Sequence, residues 1–193
     1  MFGKTLIATS ALRTASIAAV AALTAITASA QNTTTYTEYS AKFLCGVPAA
    51  SSVEAGAIEN AEYSTSINIH NPNLFFSDKP IAFLKKAVIA HTEGVTLVPP
   101  SAFKQDSLPN DYAETVTCVV IRNLLGKSAP AAPAFFEGFV VIVVPPASSP
   151  NELDVTAVYT SSNNPPTSLE VVPIPGRIIT PPPTGAALDG RIE

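Results

Sequence analysis

Between Phe135 and Thr160 the chain reads FFEGFVVIVV, then PPASSPN, then ELDVTAVYT, two runs rich in β-branched residues around a Pro/Ser/Asn connection. This pattern predicts two adjacent strands joined as a hairpin, the first apolar enough to be central and buried on both faces. The second run alternates. Leu153, Val155, Ala157 and Tyr159 fall on one face and Asp154, Thr156 and Thr160 on the other, which predicts a half-buried strand with Asp154 and Thr156 outward.

The same period of two recurs upstream. From Glu62 to His70, Tyr63, Thr65, Ile67 and Ile69 share one face, while Ser64, Ser66, Asn68 and His70 share the other. Asn71-Pro72-Asn73 stops that strand, because proline has no N–H for a ladder and asparagine favours turns. Tyr36 to Cys45 reads as the first strand, Tyr112 to Cys118 as another, and Thr167 to Pro173 as the last, with Leu169 and Val171 together. Ile81 to His91 reads as a strand in which Lys85-Lys86 marks a bulge or an edge. Thr92 to Asp111 reads as loop. After Cys118 the period lengthens: Cys118, Ile121 and Leu125, followed by Gly126, predict a short helix with a glycine stop. The expected fold is all-β, a single antiparallel β-sandwich (immunoglobulin-like) of about seven strands with one short helix after Cys118.

The ends of the chain differ in composition. Lys4 and Arg13 lead an uncharged run from Ala15 to Ala28, and Ala28-Ser29-Ala30 places small residues before Gln31, the layout of a cleavable signal peptide. The expected organisation is a signal peptide over 1–30, a polar leader over 31–38, a sandwich domain over 39–174 and a Pro-rich disordered tail over 175–193. The protein is therefore expected to be secreted or periplasmic, with no membrane span once the signal is cleaved. Cleavage removes two of the eleven basic residues and none of the fifteen acidic ones, leaving a formal net charge of −6. No basic stripe remains to neutralise phosphates, so nucleic acid is not an expected partner.

Cys45 and Cys118 are the two cysteines. In an exported chain a pair of this kind predicts a disulfide, and neither residue has a CxxC neighbour or an adjacent histidine that would mark a catalytic thiolate. Chemistry is otherwise sparse. His70 and His91, with Asp78 or Glu93, offer imidazole and carboxylate for a metal, but their spacing is not that of a metal site, and the expectation is no metal and no cofactor. Glu152 and Asp154 stand two apart and read as solvated charges on an outward face. No GxSxG, HExxH, P-loop or GxGxxG motif is present, so no catalytic residue is assigned. The most individual stretch is Asn68 to Asn73. Asn68, His70, Asn71 and Asn73 form a candidate ligand-contact patch, to be weighed against a strand ending in an Asx-type turn.

Three stretches, Ser66 to Asn73, Gly138 to Ile142 and Leu153 to Thr160, together with Cys45-Gly46 and Cys118, resemble a family of small secreted prokaryotic proteins of unknown function. The resemblance implies export and a compact β-rich domain, and it implies no activity. The expected function is thus a secreted, non-catalytic binding or surface/structural module with a protein or other envelope or extracellular partner. One alternative is a subunit of an extracellular assembly, in which Thr33 to Tyr39 or the Pro-rich tail adds a strand to a neighbour. The other is a metal-dependent enzyme centred on His70 and His91.

Overall fold

In the computed structural model the described residues are 35–49, 59–73, 80–91, 94–146, 152–163 and 167–180. The expected signal segment, together with Asp78 and Glu93, lies outside them. The described elements are β1 (Tyr36–Cys45), β2 (Glu62–His70), β3 (Ile81–Ile89), β4 (Lys104–Leu108), β5 (Ala113–Thr117), α1 (Cys118–Leu125) with a 3-10 turn after it (Gly126–Ser128), β6 (Phe136–Val144), β7 (Asp154–Ser162), β8 (Thr167–Pro173) and β9 (Arg177–Ile179). They form two sheets, ordered β4-β3-β6-β1-β9 and β5-β2-β7-β8, with antiparallel pairing between neighbours. The antiparallel sandwich with one short helix stands. Its first two strands fall in opposite sheets, where an immunoglobulin domain keeps its first two in one.

Alternation builds the core. Ala41 and Phe43 of β1, Ile67 and Ile69 of β2, Ile81 and Phe83 of β3, and Val140 and Ile142 of β6 are all fully buried between the sheets. Phe43 meets Phe136 edge-on, ring centroids 5.3 Å apart. At the centre of the five-stranded sheet, Gly138 lies opposite Phe43 on one side and Ile89 on the other. A Cβ there would sit 1.9 Å from the Val88 carbonyl oxygen and 2.9 Å from Phe43 Cζ, so the close approach requires glycine.

The run from Phe135 to Thr160 is not a hairpin. β6 pairs with β1 and β3, and β7 pairs with β2 and β8, so the connection crosses from one sheet to the other. Both strands carry an apolar face, and two such strands satisfy it equally well edge to edge in one sheet or face to face across ~10 Å of core. The second arrangement is the one adopted. Nor is β6 buried on both sides: Phe136, Val140, Ile142 and Val144 face the core, while Phe139 on the opposite side is 41% exposed.

Lys85 also departs from expectation. β3 is neither bulged nor at an edge, since it pairs in unbroken register with β4 and β6. Its period places Lys85 inward, 4% exposed. There its ammonium lies 2.9 Å from Asp106 of β4 and 2.5 Å from Glu114 of β5, joining the two sheets with an ion triad. Burial raises the Asp106 pKa, but the hydrogen bond from Lys85, the Ser107 N–H and the charges of Lys85 and Lys104 outweigh it and hold the carboxyl below its ordinary value.

β4 occupies part of the stretch expected to be loop. Its sequence, KQDSL, buries only Leu108, so it has no core pattern to announce it. β9 falls inside the expected tail and pairs with Tyr36–Glu38, where Arg177 forks onto Glu38. Part of the expected polar leader is therefore strand as well; residues 181–193 lie outside those described. Cys45, at the end of β1, is joined by a disulfide to Cys118 at the start of α1, with Cα atoms 5.7 Å apart. The bridge closes a separation of 73 residues, a loop for which chain entropy gives about 4 kcal/mol of stabilisation. The helix buries Ile121 and Leu125, stops at Gly126 with φ of 58°, and lays Arg122 over the Phe136 ring at 4.3 Å. Among the described residues no helix is long and apolar enough to cross a membrane.

Candidate functional site

β2 runs through the four-stranded sheet between β5 and β7, and polar residues gather at both of its ends. At the C-terminal end stand the four residues of the candidate patch. Asn71 is fully buried. Its amide nitrogen donates to the Leu108 carbonyl at 2.9 Å, and its amide oxygen accepts from the backbone N–H of Asn73 at 3.1 Å and the side-chain amide of Asn73 at 3.0 Å. Its own backbone N–H donates to Tyr112 and its carbonyl accepts from Asp111. This is an Asx-type turn that anchors β4 and the start of β5 to β2. Asn68 accepts a bond from the Thr115 hydroxyl at 2.9 Å. His70 stands between two carboxylates, with Nε2 3.4 Å from Asp111 and Nδ1 3.6 Å from Asp154. The patch residues are thus close together, and these contacts are all within the chain.

His91 lies just beyond the end of β3, in the opposite sheet from His70, and its Nε2 accepts the Val98 N–H at 3.0 Å. Among the described residues no group of three or more His, Cys, Asp or Glu is gathered as a metal-ligand set.

The N-terminal end of β2 borders an open groove of about 350 Å³. Tyr63 of β2 and Tyr159 of β7 lie on the inward-facing positions of their strands, where the five-stranded sheet no longer covers them fully. Ser161 of β7 and Ser168 and Glu170 of β8 continue that surface, because Tyr159 is registered with Glu170 and Ser161 with Ser168. Lys42 of β1 forms part of the opposite wall, its ammonium 2.9 Å from Glu137. Both tyrosines are held. The Tyr63 hydroxyl donates to the Glu59 carbonyl at 3.2 Å and its ring meets Phe135 edge-on at 5.7 Å. The Tyr159 hydroxyl donates to the Lys42 carbonyl at 3.0 Å, and burial, then the charge of Glu170, raises its pKa so that it stays a donor.

One wall of the groove is an edge that has been sealed. β9 covers only the first residues of β1, and further along β1 side chains of the other sheet take the place of a strand. The Thr65 hydroxyl both accepts from the Leu44 N–H and donates to the Leu44 carbonyl, each at 2.9 Å, and Tyr159 takes the Lys42 carbonyl. Thr65 is itself pinned, its N–H lying 3.3 Å from the disulfide sulfur of Cys118. The Leu44 N–H and the Leu44 and Lys42 carbonyls of this edge are thereby satisfied without an added strand.

A larger depression, about 670 Å³, lies beside Glu152, Asp154 and Pro173–Gly176. It is bounded mainly by two consecutive backbone segments, and its tyrosine, Tyr39, already accepts the Leu153 N–H at 2.9 Å. The smaller groove carries more recognition chemistry, because its side chains converge from four separate strands. In the sequence Tyr63 and Tyr159 fall on the core faces of their strands, and a phenol at the end of such a face is the one signal of a groove there. Ser168 and Glu170 gave none. The chain matches no family model, no curated protein and no solved structure, so the reading of the site rests on its own geometry.

Proposed function

We propose that the chain is an exported, non-catalytic binding module, secreted or periplasmic, that holds its ligand in the groove between β1, β2, β7 and β8. The observation that carries this reading is the convergence of two tyrosines, a serine pair and one carboxylate on a single open cavity, with both phenols anchored by bonds of their own. Pre-set side chains of this kind bind without the cost of ordering them. The Cys45–Cys118 disulfide supports export, because reducing compartments keep thiols apart. Kinship with the small secreted prokaryotic proteins that the sequence resembles belongs to the same reading.

The test uses the purified, disulfide-intact protein and the envelope fraction of cells that produce it. The unaltered protein sediments with the fraction, and so does Asn68→Ala, whereas Ser168→Arg, which places a long cation at the groove, stays in solution. Equal sedimentation of all three, or none for the unaltered protein, contradicts the proposal.

One observation favours assembly as a second reading. The edge of β8 away from β7 is unpaired among the described residues, and its Leu169 and Val171 are 65% and 57% exposed. A strand supplied by a neighbour would extend the sheet there. The donor expected from the sequence is partly committed within the chain, since Tyr36–Glu38 and Arg177–Ile179 pair with each other. A single species in analytical ultracentrifugation, unchanged by Leu169→Lys, would remove this reading.

A further inference from the structure

The lining of the groove narrows its ligand by elimination. An anion is disfavoured, because the cation of the lining, Lys42, is already paired with Glu137 and Glu170 adds a negative charge. A metal cation would find a single carboxylate on an exposed strand. An extended peptide is disfavoured along the adjacent part of β1, because the Leu44 N–H and the Leu44 and Lys42 carbonyls that it would pair with are taken by Thr65 and Tyr159. A wholly apolar ligand would strip water from the serines and Glu170 and return no hydrogen bonds.

What remains is a neutral ligand carrying both C–H surface and many hydroxyls. The ring of each tyrosine offers an apolar, weakly negative face suited to polarised C–H groups. Ser161 and Ser168 share one hydrogen bond of 2.6 Å, in which one hydroxyl donates to the other. The pair therefore keeps one O–H donor and spare lone pairs. Thr160 spends its donor on the Ser64 carbonyl and keeps its acceptor capacity. Glu170 supplies a charged acceptor, the kind that binds a hydroxyl most strongly. The cavity, about 350 Å³, is at the small end of the ~300–1,000 Å³ range of ligand clefts.

We propose that the groove takes a neutral saccharide, one or two sugar units of a longer glycan, with Tyr63 and Tyr159 against its C–H face and Glu170 and the Ser161–Ser168 pair on its hydroxyls. This rests on the binding-module reading and gives it a ligand class. The longer glycan passes out through the open side of the groove.

The experiment is a titration of the isotope-labelled, disulfide-intact full chain, followed through its backbone amide resonances. The probes are neutral cello-, malto-, xylo- and chito-oligosaccharides, with a heparin oligosaccharide and a valine-rich peptide as contrasting arms. At least one neutral series shifts the amides of Tyr63, Ser161 and Ser168 together and saturably. Tyr63→Ala then weakens that saccharide about tenfold, the loss of one aromatic anchor. Ser168→Ala, which removes a hydroxyl from an exposed strand, weakens it while leaving the unfolding midpoint in place. If only heparin or the peptide moves those amides, the neutral-saccharide class is wrong and the binding groove stands. If no probe moves them, both readings fail.

Discussion

The two ends of β2 look alike in sequence and differ in use. Each is dense in hydrogen-bonding side chains, yet at the Asn71 end those groups are directed into the chain and at the Tyr63 end a share of them faces an open groove. Asn71 is fully buried and bonds to Leu108 and Asn73, so its amide fastens β4, which has almost no apolar surface of its own. At the other end the tyrosine hydroxyls fix their own rings, and the Ser161–Ser168 pair keeps donor and acceptor capacity for something outside. Polarity alone therefore does not mark a binding site. What matters is whether the hydrogen-bonding capacity is already spent.

This contrast can be broken by substitution, beginning with the largest effect. Replacing Cys45 and Cys118 by serine removes the brace beside Thr65 and costs about 4 kcal/mol in urea unfolding, with a lower midpoint and a steeper dependence on urea, because the unfolded chain without the cross-link exposes more surface. Asn71→Ala costs about 3 kcal/mol, because the buried Leu108 carbonyl and the Asn73 amides lose their partner, and ligand binding persists at temperatures where the variant is folded. Thr65→Val keeps the shape of a fully buried side chain but orphans the Leu44 N–H and carbonyl, for a loss of about 2 kcal/mol measured the same way.

Acid sharpens the comparison further. The Asp106 carboxyl is held below its ordinary value in the folded protein, so its contribution is complete above about pH 4 and is lost as pH falls through the lowered value. Asp106→Asn abolishes that part of the acid destabilisation, seen as a flatter dependence of unfolding free energy on pH below about 4. The smallest effect on stability is Ser168→Ala, within about 0.5 kcal/mol by thermal unfolding, since the residue is exposed on an edge strand.

Much of the framework was legible because it follows from period two and from turn chemistry. β1 and β2 have the expected bounds, stopped by Gly46 and Asn71-Pro72, β3 starts after Pro80 but ends at Ile89, two residues before the expected His91, and the short helix is marked by the three- and four-residue spacing after Cys118. Pairing was less legible. β6 and β7 each show an apolar face, and that face is the same whether the strands lie side by side or across the core. β4 and β9 were missed because pairing and polar anchors hold them: Asn71 and Lys85 grip β4, and Glu38 receives Arg177 of β9. Lys85 was misread as a mark of an edge because a lysine inside a sandwich is tolerated only with partners, and Asp106 and Glu114 come from strands far along the chain. The groove was illegible for a related reason. Its residues come from four strands, and each taken singly reads as a core face or a solvated edge.

The most direct test sets Asn71→Ala beside Ser168→Arg and measures binding of both to the same envelope fraction at a temperature where each is folded. The account predicts that Asn71→Ala binds as the unaltered protein does and that Ser168→Arg does not bind. Loss of binding in Asn71→Ala with retention in Ser168→Arg would contradict it and move the ligand to the other end of β2.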